Sequence, residues 1–245
     1  INKSIYKNNT NEIILECLMP VKAVFEDLGI IDYKKAWDYQ EELHQEIANI
    51  KSGKTNKEKI NRIIFCEHPH VYTIGRSGKE NNLLINDSIL DSINATYYRI
   101  NRGGDITYHG PGQIVGYPIF DLEQFKFGAK NYIFKLEESI IKVLKEYNIY
   151  AKRFKGATGV WIDSDNKGRL RKICAIGIRI SKYITMHGFA LNVNTDLKYF
   201  NYINPCGYTD KGVTSIKNEI GRRLSIEEVK KKILRHIINE FEIQL

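Results

Sequence analysis

Three kinds of residue in this chain could carry covalent chemistry. Cys206 stands in Asn204-Pro205-Cys206-Gly207. There proline fixes the backbone before it and glycine frees the backbone after it, which presents a side chain on a sharp turn. Such a thiol is a candidate nucleophile; the plainer alternative is a small inert apolar residue. A free thiol with a pKa of about 8.5 is only a few per cent thiolate at neutral pH, so it needs an activator. His68, His109 and His187, all in contexts that read as loops, are one source of activation. Lys172, opening the run Lys172-Ile173-Cys174-Ala175-Ile176-Gly177, is another. An ammonium stabilises a thiolate, and a desolvated lysine can also carry protons. Its alternative is an exposed lysine at a strand start beside Arg171. By alternation Cys174 shares a strand face with Lys172 and Ile176, where it would flank a site without acting. Cys17 and Cys66 lie in apolar strand patterns and read as core.

The densest chemistry lies in Arg102-Gly103-Gly104-Asp105-Ile106-Thr107-Tyr108-His109-Gly110-Pro111-Gly112-Gln113. Glycines let a backbone approach a ligand closely and let successive N–H groups point one way. Arg102 offers a fork of donors for an acidic group. A tight turn between two strands would use the same residues. Neither GxGxxG nor GxxxxGK[ST] occurs, so a nucleotide cradle has no support. Cys66-Glu67-His68-Pro69-His70 hints at metal ligands, but nothing completes a set of four, and no metal is expected.

The elements that must position these residues follow from periodicity. An opening strand reads over Glu12–Leu18, before Pro20. A helix reads from an Asp32 cap to about Ile50, with Ala36, Leu43, Ile47 and Ile50 recurring at helical spacing and Gly53 closing it. The run Lys51–Lys59 is a polar loop. Arg62–Cys66, Val71–Ile74 and Tyr97–Ile100 are short β-rich runs, and Ile114–Phe120 is an apolar strand. A second helix spans Asn131–Tyr147 with Ile133, Leu136, Ile140, Val143 and Leu144 inward. Thr158–Ile162 and Lys172–Ile180 are strands joined by the polar turn Asp163–Arg169, and Ile184–Asn192 pairs next. The last helix opens at Ser225 with Glu228 in capping-box spacing, and Ile226, Val229, Ile233, Ile237 and Phe241 share one face. The irregular alternation predicts an α/β (α+β) fold: one mixed β-sheet flanked by helices. With 245 residues and no compositional break, the chain reads as a single catalytic domain over 1–245.

Composition narrows the classes further. No apolar run of 18 residues occurs, so no membrane helix is expected. Four widely spaced cysteines without a CxxC pair argue against a disulfide or zinc scaffold and fit a reducing compartment. The net charge of +8 reads first as lysines on solvated helix faces, such as Lys230, Lys231 and Lys232, and second as a surface that steers acidic partners. The lysines form no contiguous stripe with aromatics, so nucleic acid is not an expected partner. The chain begins at Ile1 rather than Met, which reads as a start inside a longer precursor.

Arg102–Gln113 (RGGDITYHGPGQ), Lys172–Gly177 (KICAIG), Met186–Asn192 (MHGFALN) and Pro205–Gly207 (PCG), in this order, closely resemble the octanoyl-[acyl carrier protein]:protein octanoyltransferases of lipoic acid biosynthesis. Glu67-His68-Pro69, Tyr72–Arg76 and Gly212–Ser215 look like that family too, and the similarity covers roughly residues 60–220. The resemblance implies a fold like the lipoate and biotin protein ligases and a Cys206/Lys172 dyad. It also implies an acyl pocket from Arg102, Gly103, Gly104, Asp105, Ile106, Thr107, Tyr108 and His109, from Ala175, Ile176 and Gly177, and from Gly188, Phe189 and Ala190. An eight-carbon chain needs an apolar slot, for which Tyr108, Ile176, Phe189 and Leu191 are candidate wall residues, with plain core packing as the alternative reading. It further implies octanoyl-acyl carrier protein as donor and, as acceptors, lipoyl domains of 2-oxoacid dehydrogenase complexes or the glycine cleavage H protein. No cofactor is implied, since passing from thioester to amide needs no ATP. The rivals are an ATP-dependent lipoate or biotin ligase of the same fold and a non-catalytic acyl-carrier-binding module. The expected setting is an organelle interior, plastid-type or mitochondrial, with a bacterial-type cytoplasm as the alternative.

Overall fold

In a computed structural model, residues 4–7, 13–16, 20–58, 60–163, 165, 169–204 and 212–245 are described, the first two segments by backbone alone. Cys17 and the segment Pro205-Cys206-Gly207 lie outside the described residues. The strands are β1 (Ser4–Lys7), β2 (Ile13–Glu16), β3 (Val21–Ile30), β4 (Asn61–Glu67), β5 (Val71–Ile74), β6 (Thr96–Arg99), β7 (Ile106–His109), β8 (Gln113–Ile119), β9 (Ala151–Phe154), β10 (Ala157–Ile162), β11 (Arg171–Ser181), β12 (Ile184–Asn192), β13 (Gly212–Val213) and β14 (Ile243–Gln244). The helices are α1 (Tyr33–Lys51), α2 (Asp87–Ser92), α3 (Ala129–Lys145), α4 (Ile216–Ile220) and α5 (Ile226–Phe241), with a 3-10 turn over Leu197–Tyr202.

The large sheet runs β14-β3-β4-β8-β12-β11-β10-β9, and β13 lies beside the start of β11. β14, β3 and β4 are mutually parallel, while β4-β8-β12-β11-β10-β9 is antiparallel throughout, so the sheet is mixed as expected. One face is covered by α3 and α5. There Leu136, Ile140, Val143 and Leu144 meet Val229, Ile233, Ile237 and Phe241 over Ile114, Phe189 and Leu191. α1 covers part of the other face, laying Ala36, Leu43 and Ile47 on Val115, Met186 and Ala190. The rest of that second face carries a three-stranded sheet, β6-β5-β7. Gly103 of the loop before β7 docks on β11, its N–H bonded to Ile178 O at 2.8 Å.

The caps form where the sequence places them. Asp32 Oδ1 accepts from Lys35 N at 3.1 Å, and Ser225 Oγ accepts from Glu228 N. One expectation needs correction, and two features went unread in the sequence. β3 was not visible as a strand, because of its ten residues only Ala23 is fully buried. Lys230 does not sit on a solvated face: it is 4 % exposed and bonds both Asp27 oxygens, at 2.7 and 3.0 Å. The glycine-dense stretch is more than one turn, since it contains β7.

Candidate active site

A cavity of about 520 Å³ lies between the second face of β11–β12 and the small sheet. Its floor follows from register. Ala175 pairs with Ala190, and Gly177 with Gly188. Two directly opposed cross-strand pairs of the smallest side chains leave a smooth trough along the strands. A Cβ on Gly177 would stand 3.0 Å from Gly103 O and 3.1 Å from Arg102 Cδ, so this glycine allows the loop to lie on the strand.

Lys172 lines one end of the cavity. Its Nζ rests 4.6 Å from the centroid of the Trp161 ring, within the reach of a cation–π contact. The position depends on a bulge. Val160 pairs with Cys174 and Trp161 with Lys172, so β11 spends one extra residue, Ile173. The bulge turns Ile173 and Cys174 to the same core, and both are fully buried. Gly159, at φ +120°, sits against this bulge, where a Cβ would meet Cys174 O at 2.6 Å. The expectation that Lys172 and Cys174 share a face is therefore overturned: Lys172 lines the cavity and Cys174 does not. Burial pushes the Cys174 thiol well up, with a nearby Lys172 charge acting the other way. Cys66 is likewise buried, and burial raises its thiol too.

Arg102 braces its own loop, donating to Thr73 O at 2.7 Å, Thr73 Oγ1 at 3.0 Å and Gly103 O at 3.0 Å. His109 ends β7 and His187 lies within β12, so neither is a loop residue; His68 is. The His109 Nδ1–H faces Gln113 Oε1 at 2.8 Å. That glutamine's Nε2 donates to Asn192 Oδ1 at 2.9 Å, and Asn192 in turn donates to Thr214 O at 3.0 Å. Burial first, then neighbouring His68, lowers the His109 pKa to about 3. Burial lowers His187 to about 3 and His68 to about 4, with the Arg102 charge adding to the shift at His187. All three rings are neutral at pH 7, so none can supply the positive charge that steadies a thiolate, whereas Lys172 can. His68 is locked by Ile31 O at 2.8 Å and the Tyr117 hydroxyl at 2.8 Å.

Of the expected pocket residues, Arg102, Gly103, Gly104, Asp105, Ile106, Thr107, His109, Ala175, Ile176, Gly177, Gly188, Phe189 and Ala190 line this cavity. Tyr108 does not: its ring belongs to a separate cluster with Tyr72, Ile74 and Phe200. Leu191 packs in the opposite core. Sequence reasoning missed Tyr33, Tyr117 and Trp161. Gln113 and Asn192 stood inside motif segments, but nothing in an apolar strand marks Tyr117 or Trp161. Cys206 is outside the described residues, yet both flanks are fixed beside the cavity. Asn204 N–H bonds Asn82 O at 2.8 Å, and the Asn82 side chain bonds cavity-lining Asp105 at 2.6 Å. On the other side Val213 pairs with Lys172.

The sequence model of the lipoyl protein ligase A/B catalytic domain matches residues 32–238. An octanoyltransferase of Bacteroides fragilis (strain YCH46) is 54% identical over 218 residues, 89% of this chain and 97% of that protein. One from Cytophaga hutchinsonii is 50% identical over 243 residues, 97% of this chain and 96% of that protein. Both are bacterial, which favours a bacterial setting over an organelle. Among solved structures, an archaeal lipoate protein ligase from Thermoplasma acidophilum superposes with a TM-score of 0.65 at 15% identity, covering 92% of this chain and 86% of that one. That likeness speaks for the fold alone. Motifs, register and relatives converge: the chain belongs to the lipoyl protein ligase A/B catalytic domain family, and within it to the octanoyltransferases.

Proposed function

We propose that this chain, acting as one catalytic domain over 1–245, moves an octanoyl group from octanoyl-acyl carrier protein to a lysine of a lipoyl domain by way of a thioester on Cys206. The carrying observation is the small-residue trough Ala175/Ala190 and Gly177/Gly188, with Lys172 near the start of the same strand and Val213, on one flank of the Cys206 segment, paired beside Lys172. A saturated chain lying there exchanges water for apolar surface. About seven methylene-sized groups at ~0.8 kcal/mol each contribute roughly 5–6 kcal/mol.

In the first half-reaction the Cys206 thiolate attacks the thioester carbonyl. A new carbon–sulfur bond forms, the bond to the carrier sulfur breaks, and the Lys172 ammonium gives its proton to the departing thiolate. In the second, the acceptor lysine amine attacks the acyl-enzyme, a carbon–nitrogen bond forms and Cys206 leaves as thiolate. Lys172, now neutral, takes the amine's proton and is restored. The acceptors are lipoyl domains of 2-oxoacid dehydrogenase complexes or the glycine cleavage H protein. Intact-mass measurement after incubation with octanoyl-acyl carrier protein tests the reading. The expected result, without ATP, is one added acyl group, labile to hydroxylamine and confined to the peptide containing Cys206. An adduct on another residue, or a requirement for ATP, overturns it.

A further inference from the structure

Tyr108 sits in the glycine-dense motif yet turns away from the acyl cavity. Its fully buried ring stacks on Tyr199 with centroids 5.0 Å apart and planes 10° apart, and meets Phe200 edge-on at 5.3 Å. Tyr199 also stacks on His70 at 4.1 Å and 10°. The Tyr108 hydroxyl shares a 2.7 Å hydrogen bond with His70 Nδ1, and the Tyr72 hydroxyl donates to Tyr199 O at 2.9 Å. Tyr199 and Phe200 belong to the 3-10 turn Leu197–Tyr202, and the chain beyond that turn is held as well. Leu84 N bonds Tyr202 O at 2.9 Å, Ile203 bridges Leu83, and Asn204 N bonds Asn82 O. Cys206 is two residues beyond Asn204, a reach of at most about 7 Å.

We infer that Tyr108 is a positioning residue: through its ring stack with Tyr199 it fixes the stem from which the Cys206 segment departs, and it does not contact the acyl chain. The inference rests on the acyl-enzyme reading above. It separates two roles within one motif: the Arg102–Asp105 loop shapes the trough, whereas Tyr108, two residues past Ile106 on the same strand, sets the attacking group. A nucleophile displaced by about 1 Å loses rate far more than a bound chain loses affinity.

The test compares Tyr108→Leu and the half-buried Tyr199→Leu with Tyr108→Phe and Tyr199→Phe, in the full chain with octanoyl-acyl carrier protein. The Leu variants should lower the maximal rate of acyl-enzyme formation on the order of tenfold to a hundredfold. They should also move the pH profile of Cys206 alkylation, while the half-saturating donor concentration stays within about twofold. The Phe variants, which keep the rings, should restore both. Tyr108→Leu raising the half-saturating concentration at an unchanged maximal rate would make Tyr108 a wall of the acyl pocket and overturn the inference. Losses at Tyr199 that track the folded fraction in a thermal melt, without rescue by Phe, would overturn it too. Wild-type protein that takes no acyl group on Cys206 would instead remove the underlying functional reading.

Discussion

Lys172 carries its charge beside an aromatic face, with the Trp161 ring 4.6 Å away. An arene holds an ammonium over its ring face, and an ammonium close to a thiol favours its thiolate. Lys172→Ala should therefore suppress acyl-enzyme formation more at pH 6.5 than at pH 9, because alkali can ionise a thiol unaided. Rapid-quench mass measurement at the two pH values checks this, and equal suppression would assign Lys172 to proton relay or geometry alone. Cys66 and Cys174 should resist iodoacetamide in the native protein and react only on unfolding, since both are fully buried and their thiols are pushed up by burial. Peptide mapping with and without denaturant reads this out; native labelling of Cys174 would contradict its placement. At this scale the sequence exposes what repeats a motif: Lys172, the glycines and His109. It hides Trp161 and Tyr117, which look like ordinary strand aromatics, and it misplaces Cys174, because a one-residue bulge shifts alternation without leaving any compositional mark.

Strands and helices differ in how much of themselves they declare. α1, α3 and α5 repeat apolar residues at helical spacing and carry side-chain caps at Asp32 and Ser225, so their limits were readable to within about two residues. β3 declares little, because Glu26 and Asp27 lie within it and find partners only in three dimensions: Tyr39 and Arg62 for one, Lys230 for the other. The β11–β12 hairpin turns through Lys182 and Tyr183, both at positive φ, with neither Asn nor Gly to announce it. Two substitutions test these elements. Lys230→Met removes the cation beside Asp27 and should cost about 1–3 kcal/mol in urea unfolding, most of it from the carboxylate left unpaired. No measurable loss would mean that Asp27 simply turns to water. Gly177→Val places a branched side chain against Gly103 O and Arg102 Cδ and should cost about 1–3 kcal/mol while weakening octanoyl-donor saturation about tenfold. Normal saturation would show that the loop does not need to lie on β11.

Across the whole molecule, three neutral histidines, two lining the cavity (His109 and His187) and His68 against His109, link stability to acidity. His68, His109 and His187 have folded-state pKa values of about 4, 3 and 3, below the usual 6.5. The unfolded chain therefore binds protons that the native state refuses, and stability present above pH 6.5 is lost as pH falls towards those lower values. Each histidine contributes a slope approaching about 1.4 kcal/mol per pH unit in that window. Denaturant unfolding at pH 7, 6 and 5 should show it; a flat profile would mean the rings take up protons in the fold as readily as in the unfolded chain. The mixed sheet flanked by helices was legible because irregular alternation of strands and helices admits few layered solutions. The small sheet was legible only in part: β5 and β6 read as short β-rich runs, but β7 lay hidden in the glycine-dense stretch, and nothing in three four-residue strands tells that they pair with one another. The trough between them has a directional consequence for change over time. Its base already consists of alanine and glycine, so, an alanine-to-glycine exchange apart, every substitution at those four positions makes the channel shallower. On the proposed reading, room for bulkier acyl groups has to come mainly from the overlying loop or from the ends, which leaves the two paired strands as a nearly fixed gauge.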